Sequence, residues 1–379
     1  MECKINLQQS DGGALEDLYW CLPLAMTRQT RLGFLDELRG LAIVAVFVYH
    51  AYDVALRRAD LGPLTRALLM PLEFGWGGVA LFFVISGCCI QLSYATDPRW
   101  GAFFRRRLCR IVPAYALVLI GLMTVFPSTR VSWAPFNVEQ FLSHLFLVHN
   151  WIDLRFLYGV NPSFWTLAVE AQLYVVFPLL VLLVSRLGWR WSLMIAIVLE
   201  VGLHQANFLV ALPTALAFSP FAFWGSWSLG AAIAQGAMRP LPRTLVVACG
   251  VCLVGSFWSF MLAAEDFLAI ALLSTAWILH LQRHHATTTG LPYAARLKTV
   301  GQWSYSLYLI HQPILFAIPL MLARIHVTLS PWPLFGLCLA SWALIAPTAG
   351  ILYRLVEVPG ATLGKTWSHR RTPVLSTVS

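Results

Sequence analysis

The sequence predicts an all-α, polytopic integral membrane bundle of about ten transmembrane helices, and three observations predict it. Hydrophobic residues fill 59% of the 379 positions and charged residues only 11%, against roughly 25% charged in an ordinary soluble domain. Apolar stretches of about 20 residues, the length that crosses a bilayer, recur along the chain. The basic residues mostly flank those stretches, so the net charge of +9 reads as a topology signal and not as a nucleic-acid surface.

Taken in order, residues 1–33 are mixed and partly polar, without the basic start, apolar core and cleavage site of a signal peptide, and read as a cytoplasmic tail that stays attached. Spans are expected near 34–54, 75–95, 109–127, 165–185, 190–209, 213–236, 245–263, 267–282, 303–322 and 333–353. A membrane domain therefore covers 34–360, and 361–379 forms a second tail. With the N-terminus inside, 19 of the 26 Lys and Arg residues fall on cytoplasmic segments, six fall outside, and Arg39 lies within a span. That imbalance places both termini in the cytoplasm. Residues 136–151 (FNVEQFLSHLFLVHNW) have too short an apolar core to cross. They are expected to form an amphipathic helix at the outer surface, because an extra crossing there would worsen the charge sort.

The first span, FLDELRGLAIVAVFVYHAY, carries Arg39 and His50 inside its apolar run. Ionisable groups at membrane depth are costly and mark function by default. Eleven residues return to within about 20° of the same helix face and separate the two side chains by about 16 Å along the axis. A permanent guanidinium near one end suits phosphate, and an imidazole near the other can exchange protons. The plain structural account of Arg39 is an ion pair with Asp36, one turn earlier.

Other constellations sit at matching depths. FFRRRLCRIVPAY puts Arg107 and Arg110 three apart on one helix face at the cytoplasmic level, where they either hold two phosphates or anchor topology. The last span exits through Tyr353, Arg354 and Glu357. Counted from the outer ends of their spans, Glu170 and His50 lie at similar depth, so a carboxylate-imidazole contact is expected, with a polar lock on Gln172, Tyr174 or a tryptophan as the other account of Glu170. His311, with Ser304 and Tyr305 before it in the ninth span, lines a passage or contacts an acceptor unless it only packs. His144 and His149 read as solvated surface histidines. Cys88, Cys89 and the CxxC of Cys249 and Cys252 read as packing, and no metal site is expected. Glycines Gly75, Gly77, Gly78 and Gly87 permit close helix approach.

Six motifs together, LDELRGLAIVAVFVYH, GGVALFFVISG, FFRRRLCRIVPAY, FWTLAVEAQLYVVFP, SYSLYLIHQPI and YRLVEVP, occur in order over about residues 34–360. As a set they resemble acyltransferase family 3, polytopic membrane O-acyltransferases of the O-antigen, exopolysaccharide and peptidoglycan O-acetylase type. The resemblance implies transfer of an acetyl or other short acyl group from cytoplasmic acetyl-CoA (acyl-CoA) to a hydroxyl of an extracytoplasmic or lipid-linked glycan, such as an exopolysaccharide or lipopolysaccharide, in a bacterial inner membrane. It places the active pair on Arg39 and His50, the basic donor-binding element on Arg107 and Arg110, and carboxylates on Glu170 and Glu357. Two departures stand out: the acid that often follows the first is Ala171, and LDGLRG is here LDELRG, adding Glu37.

The expected catalytic set is thus His50, Glu170 and Arg39. Arg39, Arg107 and Arg110 bind the donor, His311 and Tyr305 meet the acceptor, and Asp36 and Glu357 form structural ion pairs. His50 acts either as general base or as a transient acyl carrier. No fused SGNH-type domain is visible, so the chain completes transfer alone or hands over to a separate periplasmic partner. A transporter or flippase of a lipid-linked saccharide, and acylation of a small molecule or lipid, are the competing readings.

Overall fold

The computed structural model describes residues 28–125, 137–258, 266–284 and 293–369, so the expected N-terminal tail lies almost wholly outside the described residues. No strand occurs among them. The helices are α1 (Arg28–Ala55), α2 (Pro63–Glu73), α3 (Gly78–Thr96), α4 (Trp100–Val125), α5 (Val138–Leu145), α6 (Leu154–Leu157), α7 (Phe164–Val210) and α8 (Thr214–Ala217). They continue with α9 (Trp224–Ala234), α10 (Arg243–Trp258), α11 (Asp266–His284), α12 (Ala294–Gln302), α13 (Ser304–Arg324), α14 (Pro331–Ala340), α15 (Trp342–Leu352) and α16 (Val358–His369). Six helical stretches are long and apolar enough to cross a membrane, and the chain is an all-α membrane protein.

Each expected span falls on helix over its described part, with instructive differences. The expected spans 165–185 and 190–209 lie on α7 to either side of a kink at Gly188, whose φ of +75° suits a residue without a Cβ. The expected continuous 213–236 is interrupted by a tight 3-10 turn at Pro220–Phe223, because proline at 220 removes a helical donor. Helix α2 was not expected; Pro63 opens it, and a 3-10 turn at Phe74–Gly77 leads into α3. Helix α5 has eight residues capped by Asn137. At about 12 Å it is too short to span a hydrocarbon core of about 30 Å.

Helix α1 is the hub, packing against α2, α3, α12, α13 and α14. Its first half (Phe34, Leu35, Leu38, Ala42) joins a core with α3, α7, α9 and α11. Its second half (Ile43, Val46, Phe47, Ala51) joins another with α4, α13 and α15. The contact with α12 is backbone on backbone, since a Cβ on Gly40 would collide with the Leu297 carbonyl and one on Gly301 with that of Asp36.

The first part of the expected C-terminal tail, 361–369, is helical. A π-helical turn at Tyr353–Glu357 leads into α16, which runs to His369 against α4, with Gly360 and Gly364 over Cys109. Two glycines four residues apart make a flat helix face, and a flat face holds the chain on the bundle.

Candidate functional site

Two polar centres lie along α1, one at each end of its apolar run. At the first, Arg39 Nη1 meets Asp36 Oδ1 at 3.1 Å, the ion pair the spacing suggested, and Nη2 donates to Cys89 Sγ at 3.2 Å. The guanidinium opens onto a cavity of about 100 Å³. Helix α4 contributes Arg107 and Arg110, α3 contributes Ser86 and Cys89, and α7 contributes Glu170 and Tyr174. Among the described residues, no carboxylate forms an ion pair with Arg107 or Arg110. Arg107 lies instead over the rings of Phe103 and Tyr174, at 5.8 and 5.9 Å. Three guanidiniums converge against two carboxylates, Asp36 and Glu170, so the cavity keeps an excess of positive charge that favours an anion, the situation for which planar forked donors are suited.

Glu170 is held by the cavity wall. Its Oε1 accepts from Ser86 Oγ at 2.6 Å and from the Tyr174 hydroxyl, and Trp227 Nε1 donates to Ser86 Oγ at 3.3 Å. The far wall is hydroxylic and aromatic: Tyr305 donates to the Ile111 carbonyl at 2.9 Å, and Thr166 Oγ1 and Tyr308 OH lie 2.7 Å apart.

The second centre is a pair of imidazoles. His50 Nδ1 lies 2.9 Å from the Val46 carbonyl and 3.2 Å from His311 Nε2. His311 Nδ1 lies 3.1 Å from the Leu307 carbonyl and 3.0 Å from that of Tyr308. Carbonyls only accept, so in the neutral rings both Nδ1 atoms carry the hydrogen. His311 Nε2 then presents its lone pair to His50 Nδ1–H, and His50 Nε2 is left as a proton acceptor. His311 is fully buried, whereas His50 is half-buried. The Tyr308 ring, part of the cavity wall, meets the His311 ring at a tilt of 50° with centroids 5.4 Å apart and meets Phe82 edge-on at 6.2 Å. Tyr308 thus borders the cavity and contacts His311.

The expected contact of His50 with Glu170 is not formed. The segment ahead of α7 is sunk into the bundle: Asn161 Nδ2 donates to the Leu309 carbonyl at 3.1 Å, and Ser163 Oγ donates to Gln312. Helix α7 thus starts level with His311, and Glu170, seven residues further on, lies about 10 Å deeper. This brings it to the Arg39 cavity.

Tyr305 lines that cavity, but His311 does not. Glu357 forms no ion pair among the described residues; its Oε1 accepts from Ser306 N at 3.0 Å and from Ser306 Oγ. The π turn explains this, because it turns residue 357 toward the N-terminal end of α13, where backbone donors have no helical partner. His144 and His149 are fully buried, stacked at 4.0 Å with planes 3° apart. Phe146 and Trp151 take the exposed positions beside them.

Cys89, read as packing, and Ser86 were missed as cavity residues. They lie three apart, one helical turn, in an otherwise apolar stretch, and that spacing was the available signal.

A family model described as an acyltransferase domain, Acyl_transf_3, matches residues 32–351. The chain is 27% identical over 380 residues to acyltransferase MdmB of Streptomyces mycarofaciens, covering 92% of this chain and 95% of that protein. It is 24% identical over 362 residues to O-acetyltransferase OatA of Staphylococcus aureus, covering 86% of this chain and 56% of that protein. Against the peptidoglycan O-acetyltransferase OatA of Listeria monocytogenes it is 26% identical over 198 residues, 47% of this chain and 28% of that protein. The chain thus spans little more than half the length of the staphylococcal relative. No solved structure matches.

Proposed function

This chain belongs to the acyltransferase 3 family, and from that premise we propose that it moves an acetyl or other short acyl group from acyl-CoA to a hydroxyl of a glycan beyond the bacterial inner membrane. The observation that carries the donor half is the convergence of Arg39, Arg107 and Arg110 on one cavity. Coenzyme A carries its negative charge on phosphates at one end and its thioester at the other. The arginines hold the phosphates, Tyr305, Tyr308 and Thr166 line the way for the pantetheine arm, and the thioester comes to the histidine pair past the Tyr308 ring. The glycan acceptor rests on the relative whose name includes peptidoglycan, and it stays external because the basic residues assign the Arg39 end to the cytoplasm.

In the transfer step His50 Nε2 takes the hydroxyl proton while the oxygen attacks the thioester carbonyl. The C–S bond breaks, and the departing thiolate takes the proton back from His50. Glu170 acts on the donor side, fixing Ser86 and Tyr174 beside Arg39. In the route through acyl-His50, Nε2 attacks the thioester carbonyl and the C–S bond breaks. The hydroxyl oxygen then attacks the acyl group, the N–C bond breaks, and the hydroxyl proton passes to the CoA thiolate. Trapping a labelled acyl group on His50 in a single turnover would select this route.

The test is incubation of membranes containing the protein with labelled acetyl-CoA, followed by mass spectrometry of the surface glycans. The expected result is thioester consumption and a gain of one acetyl mass on the acceptor, both lost in His50→Ala at equal expression. Absence of acetyl-CoA consumption by the intact protein would overturn the reading in favour of a flippase or transporter. Consumption with an unchanged glycan would move the acceptor to a small molecule, a lipid or a separate periplasmic carrier.

A further inference from the structure

Resting on the transfer just described, we propose that His311 is the positioning residue of the proton-accepting step, an uncharged second imidazole that shares the proton taken by His50. General bases of this kind are usually oriented by a carboxylate. Here Glu170, the carboxylate expected there, is engaged at the other centre by Ser86 and Tyr174, Asp53 on α1 pairs with Arg57, and the atom that faces His50 Nδ1 is His311 Nε2 at 3.2 Å.

The choice of a neutral partner has a physical reason. A carboxylate buried at this depth would carry a permanent charge away from water, which is costly unless paired. Two neutral rings carry none at rest. When His50 Nε2 accepts the hydroxyl proton, the pair gains one positive charge, and the Nδ1–H···Nε2 contact becomes a charge-assisted hydrogen bond, the stronger kind. The Nδ1 proton can then shift toward His311 Nε2, leaving His50 neutral and His311 cationic. That cation is accommodated, because His311 Nδ1–H already points at the carbonyls of Leu307 and Tyr308. The shift reverses as His50 returns its proton to the CoA thiolate, so nothing is left over at the end of the cycle. Complete burial of His311 keeps it from reaching the acceptor itself, while half-buried His50 can. This reassigns His311 from the acceptor contact its motif suggested to a partner behind the base.

The experiment compares full-length wild type with His311→Leu, His311→Gln, His50→Ala and the double variant His50→Ala/His311→Leu in lipid nanodiscs. It measures acetyl-CoA binding, kcat and KM. His311→Leu is expected to keep donor affinity within about threefold while kcat falls about 10²-fold, the low end of general-base effects. His311→Gln, whose side-chain oxygen can accept from His50 Nδ1, is expected to recover at least about a tenth of the wild-type rate, since one retained acceptor restores most of a single hydrogen-bond effect.

The double variant should be no slower than His50→Ala alone, because residues acting as a unit are not additive. Intact donor binding in the Leu variant shows that it has folded. Full kcat in His311→Leu, no gain from Gln over Leu, or additive losses in the double variant would each overturn the role of His311 while leaving acyl transfer standing. An inactive wild type, or an active His50→Ala, would remove the transfer reading itself, and this inference with it.

Discussion

The two centres along α1 handle charge in opposite ways. The Arg39 cavity concentrates permanent charge, with Asp36 bonded to Arg39 and two more guanidiniums beside Glu170. The His50–His311 centre has no acidic or basic hydrogen-bond partner beyond the two rings; its other partners are helix carbonyls. A site that holds a charged ligand needs standing charge, because the interaction must exist before the ligand arrives. A site that moves a proton is better left uncharged, so that charge appears only in the transition state, where differential stabilisation counts. One helix supplies both conditions because its halves are packed into different cores.

The most severe way to break this contrast is at the proton acceptor. His50→Ala is expected to lower acyl transfer by about 10³-fold or more, within the range for a general base, with donor binding unchanged by calorimetry. A comparable loss of donor affinity would show that the two centres are not separate. Next in size, Arg107→Ala and Arg110→Ala should each raise the KM for acyl-CoA by roughly 10- to 100-fold, the equivalent of one charged hydrogen bond of about 1.5–3 kcal/mol, with kcat little altered. The binding should also weaken with added salt in wild type and less so in either variant.

Glu170→Gln tests the middle of the scale. It keeps an acceptor for Ser86 and Tyr174 but removes a negative charge from the cavity, so kcat should fall by no more than about tenfold, the cost of weakening one charged hydrogen bond. A loss equal to that of His50→Ala would return Glu170 to the role of orienting carboxylate.

The smallest expected effect on activity comes from a histidine pair built differently. His144 and His149 stack face to face, so neither ring aims a nitrogen at the other. Burial pushes the His144 imidazole down to about 4 from its ordinary 6.5, and burial together with its neighbour pushes His149 well below 6.5. Both are neutral in the fold and protonate more readily when unfolded. Their contribution is therefore whole above about pH 6.5 and is lost as pH falls toward the folded value. The thermal unfolding midpoint in nanodiscs should decline over that interval, and His144→Phe should flatten the decline while leaving kcat near wild type.

Much of this arrangement was legible in the sequence, since membrane helices announce themselves by composition and length. The Arg39–His50 spacing gave a shared face and a separation that need no tertiary information, and Arg107 and Arg110 followed by the same rule. The depth of Glu170 was not legible, because it depends on Asn161 and Ser163 burying themselves against α13, and a polar segment in a sequence looks the same whether it lies outside the bundle or inside it. The partner of His50 was hidden for a related reason: His311 is 261 residues away, and no local pattern pairs them. His144 and His149 misled because neighbouring polarity suggested water, whereas Phe146 and Trp151 turn outward and the histidines inward.

The π turn at Tyr353–Glu357 carries a consequence for how tolerant the chain is of indels. Such a turn accommodates one more residue than an ordinary helical turn. Deleting a single amino acid there would let the segment relax into regular α geometry while the helix beyond it stays in phase, so the two glycines that let α16 lie flush on α4 would keep facing Cys109. What would be lost is the aim of Glu357 at Ser306. A one-residue deletion inside α16 itself, between the turn and Gly360, has no widened turn to absorb it and should rotate both glycines away by about 100°, whereas the same change near Gly62, where an added Cβ meets nothing within 4 Å, should pass almost unnoticed.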